Sequence, residues 1–305
     1  MANRRQSDDP VITAFSALAP GARFIRGELT RAHGRHLRWV ETNSSGPTIL
    51  LAAGAGDTVL DWGPILPALA TDFHLVAYDR AGLGASDPLR GRLTLESQVD
   101  DLVALLDTHG PTLLVGHSWG GLLAQFAASA RPDQVTGLVL VDPTHEGVMS
   151  AVPARLRISS DLMLGRMVVL KTVGLFGKQL DTFARELAET STDDPAVRKL
   201  LIEAYHHAYA GRGQVISIRT ENRLATRVAA ARRVRAAYAP ADVPMTILTA
   251  SRGKPPSLQV RAAELADETA AAYKQGQHVV VDDAGHYIHH DQPAAAAAAI
   301  KAAAG

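Results

Sequence analysis

Short, unbroken apolar runs alternate along this chain with longer stretches whose apolar residues recur every three or four positions. Residues 48–53, 73–78, 112–115, 135–141, 245–249 and 278–281 are of the first kind. They predict strands, because a strand covered on both faces keeps all its side chains from water and reads as one apolar run. Helical spacing marks residues 57–70, with Ile65, Leu66 and Leu69, and the stretch from Thr94, where Leu95, Val99, Leu102, Val103 and Leu106 form one stripe. It returns at 122–130, within 260–273, and from Pro293 to about Lys301. This order predicts a mainly parallel sheet with helices on both faces. Ahead of it, residues 22–29 and 35–41 read as a hairpin turning at 32–34.

After Asp142 the alternation stops for about a hundred residues. Segments near 154–164, 180–190, 195–210 and 221–238 are helical by spacing, and no strand pattern interrupts them. The expected organisation is therefore an N-terminal tail at 1–20, one α/β core built from 21–144 and 241–305, and a helical cap subdomain at 145–240. Met163, Met167, Phe176, Phe183, Tyr205 and Tyr209 are its bulky apolar groups, placed either to line a substrate path or to fill the cap's own core.

Composition narrows the function classes. The chain's 305 residues include 31 basic and 31 acidic side chains, so no bulk charge draws it to nucleic acid or an anionic membrane. It has no cysteine, which excludes disulfides, thiolate metal sites and a cysteine nucleophile. The first ten residues carry Arg4, Arg5, Asp8 and Asp9 without an apolar run, unlike a secretory leader. The longest apolar stretch, 162–175, is broken by Gly165, Arg166, Lys171 and Gly174, so it predicts a lid or core segment, not a membrane span. The expectation is a cytoplasmic monomer or homodimer with a small-molecule substrate and neither a nucleic-acid nor a membrane partner.

The chemistry concentrates at Gly116-His117-Ser118-Trp119-Gly120. This G-x-S-x-G follows an apolar strand and precedes a helix, the context in which a tight turn lifts a serine hydroxyl above the sheet edge. The helix then points free N–H groups at the place where negative charge develops in acyl transfer. His286, in Asp283-Ala-Gly-His-Tyr287, follows the last predicted strand. In an open parallel sheet the loops at the carboxyl ends share one edge, so His286 can return to Ser118 as general base. His117 is predicted to point away from the hydroxyl, His289 and His290 to face cap or solvent, and His206 and His207 to lie in the cap.

The run 114–122, Leu-Val-Gly-His-Ser-Trp-Gly-Gly-Leu, with 78–87, Tyr-Asp-Arg-Ala-Gly-Leu-Gly-Ala-Ser-Asp, resembles the α/β-hydrolase fold family in its capped, esterase-like and proline-iminopeptidase-like branch. The resemblance implies a three-layer fold on a mostly parallel eight-stranded sheet with a helical cap insertion. It also implies a serine, an acid and a histidine in that chain order, and no metal or organic cofactor. By the same resemblance the oxyanion donors are the backbone amides of Ala55 and Trp119. One departure is that Ala53-Gly54 stands where the family has His-Gly; the donor is an amide, so the hole survives the change.

The third residue is displaced from its usual place. The family's acid follows the seventh strand, but 250–257 reads Ala-Ser-Arg-Gly-Lys-Pro-Pro-Ser, and Glu264, Asp267 and Glu268 fall inside a helix. Asp142, directly after the sixth strand, is the expected acid, as in certain dehalogenases and lipases that the chain resembles here. Glu146 is the alternative, Asp282 and Asp283 sit too close to His286 in the chain, and Asp142 could instead only cap the turn before Pro143. The expected activity is cofactor-independent hydrolysis of a small to medium carboxylic ester or related acyl compound. The alternatives are a non-catalytic small-molecule binder and a lyase or perhydrolase on the same fold.

Overall fold

The computed structural model describes residues 9–88, 91–211, 213–237 and 239–305. Arg4, Arg5 and Asp8, and Tyr238 at the expected end of a cap helix, lie outside the described residues. One sheet contains β1 (Phe24–Arg31), β2 (Arg35–Thr42), β3 (Thr48–Ala52), β4 (His74–Asp79), β5 (Thr112–His117), β6 (Val135–Val141), β7 (Met245–Ala250) and β8 (Gly276–Val281). Their order is β1-β2-β4-β3-β5-β6-β7-β8. β2 is antiparallel to both its neighbours, and every pair from β4 to β8 is parallel.

Successive side chains on a strand point to opposite faces, and here each face has its own core. Ile49, Leu51, Leu113 and Val115 pack on one side with α1 (Pro10–Leu18), the 3₁₀ turn Val59–Ile65, α2 (Leu66–Leu69) and the closing helix Pro293–Ala304. Leu50, Ala52 and Leu114 pack on the other with α3 (Leu95–His109) and α4 (Ser118–Ala130). The six apolar runs coincide with strands to within two residues at each end. β8 differs in burial: it is an edge strand, and Val279 and Val280 are nearly half exposed.

The region expected as a tail is structured where it is described. Asp9 accepts from the backbone N–H groups of Val11 (2.9 Å) and Ile12 (3.3 Å) and so caps α1, whose Val11, Ile12, Ala14, Phe15 and Leu18 are buried.

Between β6 and β7 the chain forms α5 (Glu146–Ala151), α6 (Ala154–Thr172), α7 (Gly177–Ser191), α8 (Pro195–Ala208), α9 (Gln214–Ala225) and α10 (Val228–Ala237). The helical reading holds, with changed bounds: α6 runs on past 164, and the segment expected at 221–238 divides into α9 and α10. Asp161 on α6 takes both Arg219 and Arg223 of α9. No helix among the described residues is long and apolar enough to cross a membrane.

Candidate active site

Ser118 stands where β5 becomes α4, at φ +51°. A non-glycine residue there costs on the order of 1–3 kcal/mol and persists only where its surroundings impose it. The imposed feature is a close approach of strand and helix. A Cβ on Gly116 would lie 2.6 Å from the Gly120 carbonyl oxygen, and one on Gly120 would lie 2.0 Å from that of Ala52. Only glycine admits this packing, which is why the motif keeps glycines on both sides of the serine.

The structure brings Ser118, His286 and Asp142 together from three loops at one sheet edge. His286 Nε2 is 2.9 Å from Ser118 Oγ, and Nδ1 is 2.6 Å from Asp142 Oδ2. Asp142 follows β6 at φ +41°, a conformation aspartate tolerates better than most side chains. Burial pushes its carboxyl up, but hydrogen bonding and charge from His286, then the Lys254 ammonium, outweigh this and hold it at about 2. An ionised carboxylate can only accept, so Nδ1 carries the ring proton and Nε2 is left to accept from the serine hydroxyl. Asp142 Oδ1 also accepts from the Ala250 amide at 3.2 Å, which fixes the carboxylate against β7.

Glu146, the alternative acid, is committed elsewhere: Arg235 donates to it from Nε at 2.5 Å and from a terminal nitrogen at 3.0 Å. The loop after β7, which carries no acid between 250 and 257, supplies a cation. Lys254 Nζ donates to Asp142 Oδ2 at 2.5 Å. Sequence reasoning missed this residue, although a lysine in that loop was its only local signal. It also missed Thr144, whose Oγ1 is 3.4 Å from Ser118 Oγ and whose N–H donates to the Ser118 carbonyl at 2.9 Å.

A second acid–histidine cluster lies behind the first. Asp61 Oδ1 is 3.1 Å from both His289 Nε2 and His290 Nε2, and its Oδ2 is 3.3 Å from His117 Nδ1. His117 points away from Ser118 as expected, and its Nε2 donates to the His286 carbonyl at 3.1 Å. His289 does not face solvent: it is fully buried, and burial drives its ring down to about 3. His290, also buried, does meet the insertion through Thr190 at 2.8 Å. Asp61, His289 and His290 offer a metal-like donor set. His290 Nε2 already donates to the Asp61 carbonyl oxygen at 2.9 Å, whereas both ring nitrogens of His289 are buried without a hydrogen-bond partner.

A cavity of about 300 Å³ opens at the serine. Ser118, Asp142, His286 and Ala55 line it with Thr144, Lys254, Leu265 and Tyr287, while the insertion contributes Val148, Met149, Asn222 and Ala225. None of the six bulky cap residues named from sequence is among the lining. Phe176, Tyr205 and Tyr209 are buried instead, and the two tyrosines donate to the carbonyls of Leu60 and Gly56, both at 3.3 Å. Met163 faces solvent. His206 pairs with Asp181 on the cap surface, outside the cavity. Trp119 is the second residue of α4, so its amide is one of the free donors of a helix start, and its buried indole donates to Gln98 Oε1 at 2.7 Å.

Comparison with known proteins accords with this architecture. A profile of the alpha/beta hydrolase family matches residues 49–299. The chain is 25% identical to the AB hydrolase superfamily protein YfhM of Bacillus subtilis over 261 residues, 82% of this chain and 87% of that one. It is 41% identical to the lipase LipV of Mycobacterium tuberculosis over 104 residues, 32% of this chain. The chain spans less than half the length of several curated relatives it matches, 38% for LipV. A thermophilic esterase from Thermogutta terrifontis superposes with a TM-score of 0.63 at 21% identity, over 91% of this chain and 97% of that one.

Proposed function

The chain belongs to the alpha/beta hydrolase family, and from that premise we propose that it is a cofactor-independent serine hydrolase of carboxylic esters. The observation that carries this reading is the continuous path from Asp142 through His286 to Ser118, with bonds of 2.6 and 2.9 Å. In the first step Ser118 Oγ attacks the ester carbonyl while His286 Nε2 takes its proton. Asp142 accepts from Nδ1 throughout and stabilises the imidazolium. The carbonyl oxygen, now an oxyanion, is held by the amides of Ala55 and Trp119. His286 returns the proton to the departing alcohol, leaving an acyl-enzyme. Water, deprotonated by the same nitrogen, then releases the acid and restores Ser118.

The cavity sets the substrate size. At about 300 Å³ it lies at the small end of ligand sites, which run from ~300 to ~1,000 Å³. Its mixed wall of Met149, Val148 and Leu265 beside Thr144, Asn222 and Lys254 suits a short to medium acyl group better than a long chain. The test is turnover of p-nitrophenyl esters of increasing acyl length by wild type and Ser118→Ala. The expected result is a preference for short acyl groups, abolished in the variant. Equal turnover by both proteins would refute the serine mechanism.

A further inference from the structure

A buried ion pair joins the helical insertion to the end of β4, and both its partners hydrogen-bond the loop after β3. Glu221 of α9 is fully buried. Its Oε1 accepts from Arg80 Nε at 2.8 Å, and its Oε2 accepts from a terminal Arg80 nitrogen at 2.9 Å and from the Gly56 amide at 2.8 Å. Gln98 of α3 also donates to Oε1, while its own oxygen takes the Trp119 indole. Arg80, equally buried just past β4, turns its other donors on the loop itself, one to the Ala53 carbonyl at 2.6 Å and one to that of Gly54.

These bonds converge on the two segments proposed above to supply the oxyanion donors. The Gly54 carbonyl and the Ala55 N–H belong to one trans peptide plane and point in opposite directions. Holding that carbonyl against Arg80 therefore aims the Ala55 N–H away from Arg80. We infer that Glu221 is a positioning residue: from the insertion, it fixes Arg80, and through Arg80 it sets the Gly54–Ala55 peptide for oxyanion binding. This rests on the serine-hydrolase reading. It makes the insertion part of the site's construction as well as its roof, because replacing the insertion by a short loop would take away the counterion that holds Arg80.

The experiment compares full-length wild type with Glu221→Gln, and with Arg80→Lys should the first variant fail to fold. Lysine keeps the charge but cannot reach both carboxylate oxygens and two carbonyls at once. Hydrogen exchange of the amides at 53–57 and steady-state turnover of p-nitrophenyl acetate are both read. The expected result is faster exchange in that loop, with kcat down roughly 10- to 100-fold and KM within about threefold. That loss is milder than the roughly 10²- to 10³-fold effect of deleting an oxyanion donor outright. Unchanged exchange in a folded variant, or a loss carried by KM alone, would overturn the inference. If wild-type Ser118 resists a fluorophosphonate, the hydrolase reading falls, while the exchange result still decides whether Glu221 orders the loop.

Discussion

Two aspartates in this protein sit against histidines, Asp142 at 2.6 Å and Asp61 at 3.1 Å, and only the first of these groups meets the Ser118 hydroxyl. Asp142 pairs with a His286 whose side chain is 45% exposed and whose free nitrogen meets Ser118. Asp61 pairs with His289 and His290, which are 0% and 3% exposed at the side chain. Residue types are alike in the two groups, so type alone does not mark a catalytic base. Access to substrate does, together with an acceptor nitrogen left free and aimed at a hydroxyl. The sealed cluster instead ties the 3₁₀ turn at Asp61 to the segment before the last helix, directly beneath the site.

The sharpest way to break this contrast is to neutralise each aspartate in turn. Asp142→Asn should fold and lose roughly 10⁴-fold in kcat, since an amide facing Nδ1 no longer enforces the tautomer the base needs. Asp61→Asn should keep kcat within about tenfold and lower the melting temperature, by the roughly 1–3 kcal/mol that a lost buried acceptor costs. Steady-state kinetics with thermal unfolding on both variants would decide it. A reversed pattern would place the working acid at Asp61.

Next in size is the backbone. Ala55→Pro deletes the proposed donor and should cost about 10²- to 10³-fold in kcat, whereas Ala55→Gly should stay within a few-fold of wild type. Normal turnover by a folded Ala55→Pro protein would remove Ala55 from the site.

A smaller effect is expected in stability against pH. Asp142 is held at about 2 against an ordinary 3.8, so its ionised form favours the folded state. That contribution, about 2 kcal/mol, is complete above about pH 4 and lost as pH falls through about 2. Urea unfolding at neutral and acid pH should show wild type losing this increment and Asp142→Asn not losing it. The smallest change is expected from Glu146→Gln, where kcat should move less than about threefold because its carboxylate serves Arg235. An inactive Glu146→Gln beside a working Asp142→Asn would exchange their roles.

What the sequence disclosed follows the range over which its signals act. The strands, the turn at Ser118 and the position of His286 are written in patterns a few residues long, and they lie where those patterns put them. Asp142 was reachable because its strand could be placed and because 250–257 held no acid. Glu221 and Arg80 were invisible: they are 141 residues apart, and nothing local distinguishes a glutamate that will be fully buried from one on a helix surface. The cap lining failed for a related reason. Aromatic bulk in a helical insertion is claimed first by packing, here against the core at Leu60 and Gly56 for Tyr205 and Tyr209, leaving the smaller Val148, Met149 and Asn222 to face the cavity. Helix α1 was missed although Asp9-Pro10 is an ordinary helix start.

If His286, oriented by Asp142, activates Ser118, a fluorophosphonate should find that serine. Intact-protein and peptide mass spectrometry should show one adduct per chain, carried by Ser118, forming at least about a hundredfold more slowly in Asp142→Asn and His286→Ala. An unlabelled Ser118 in the folded wild type, or labelling at the same rate in all three proteins, would rule this activation out.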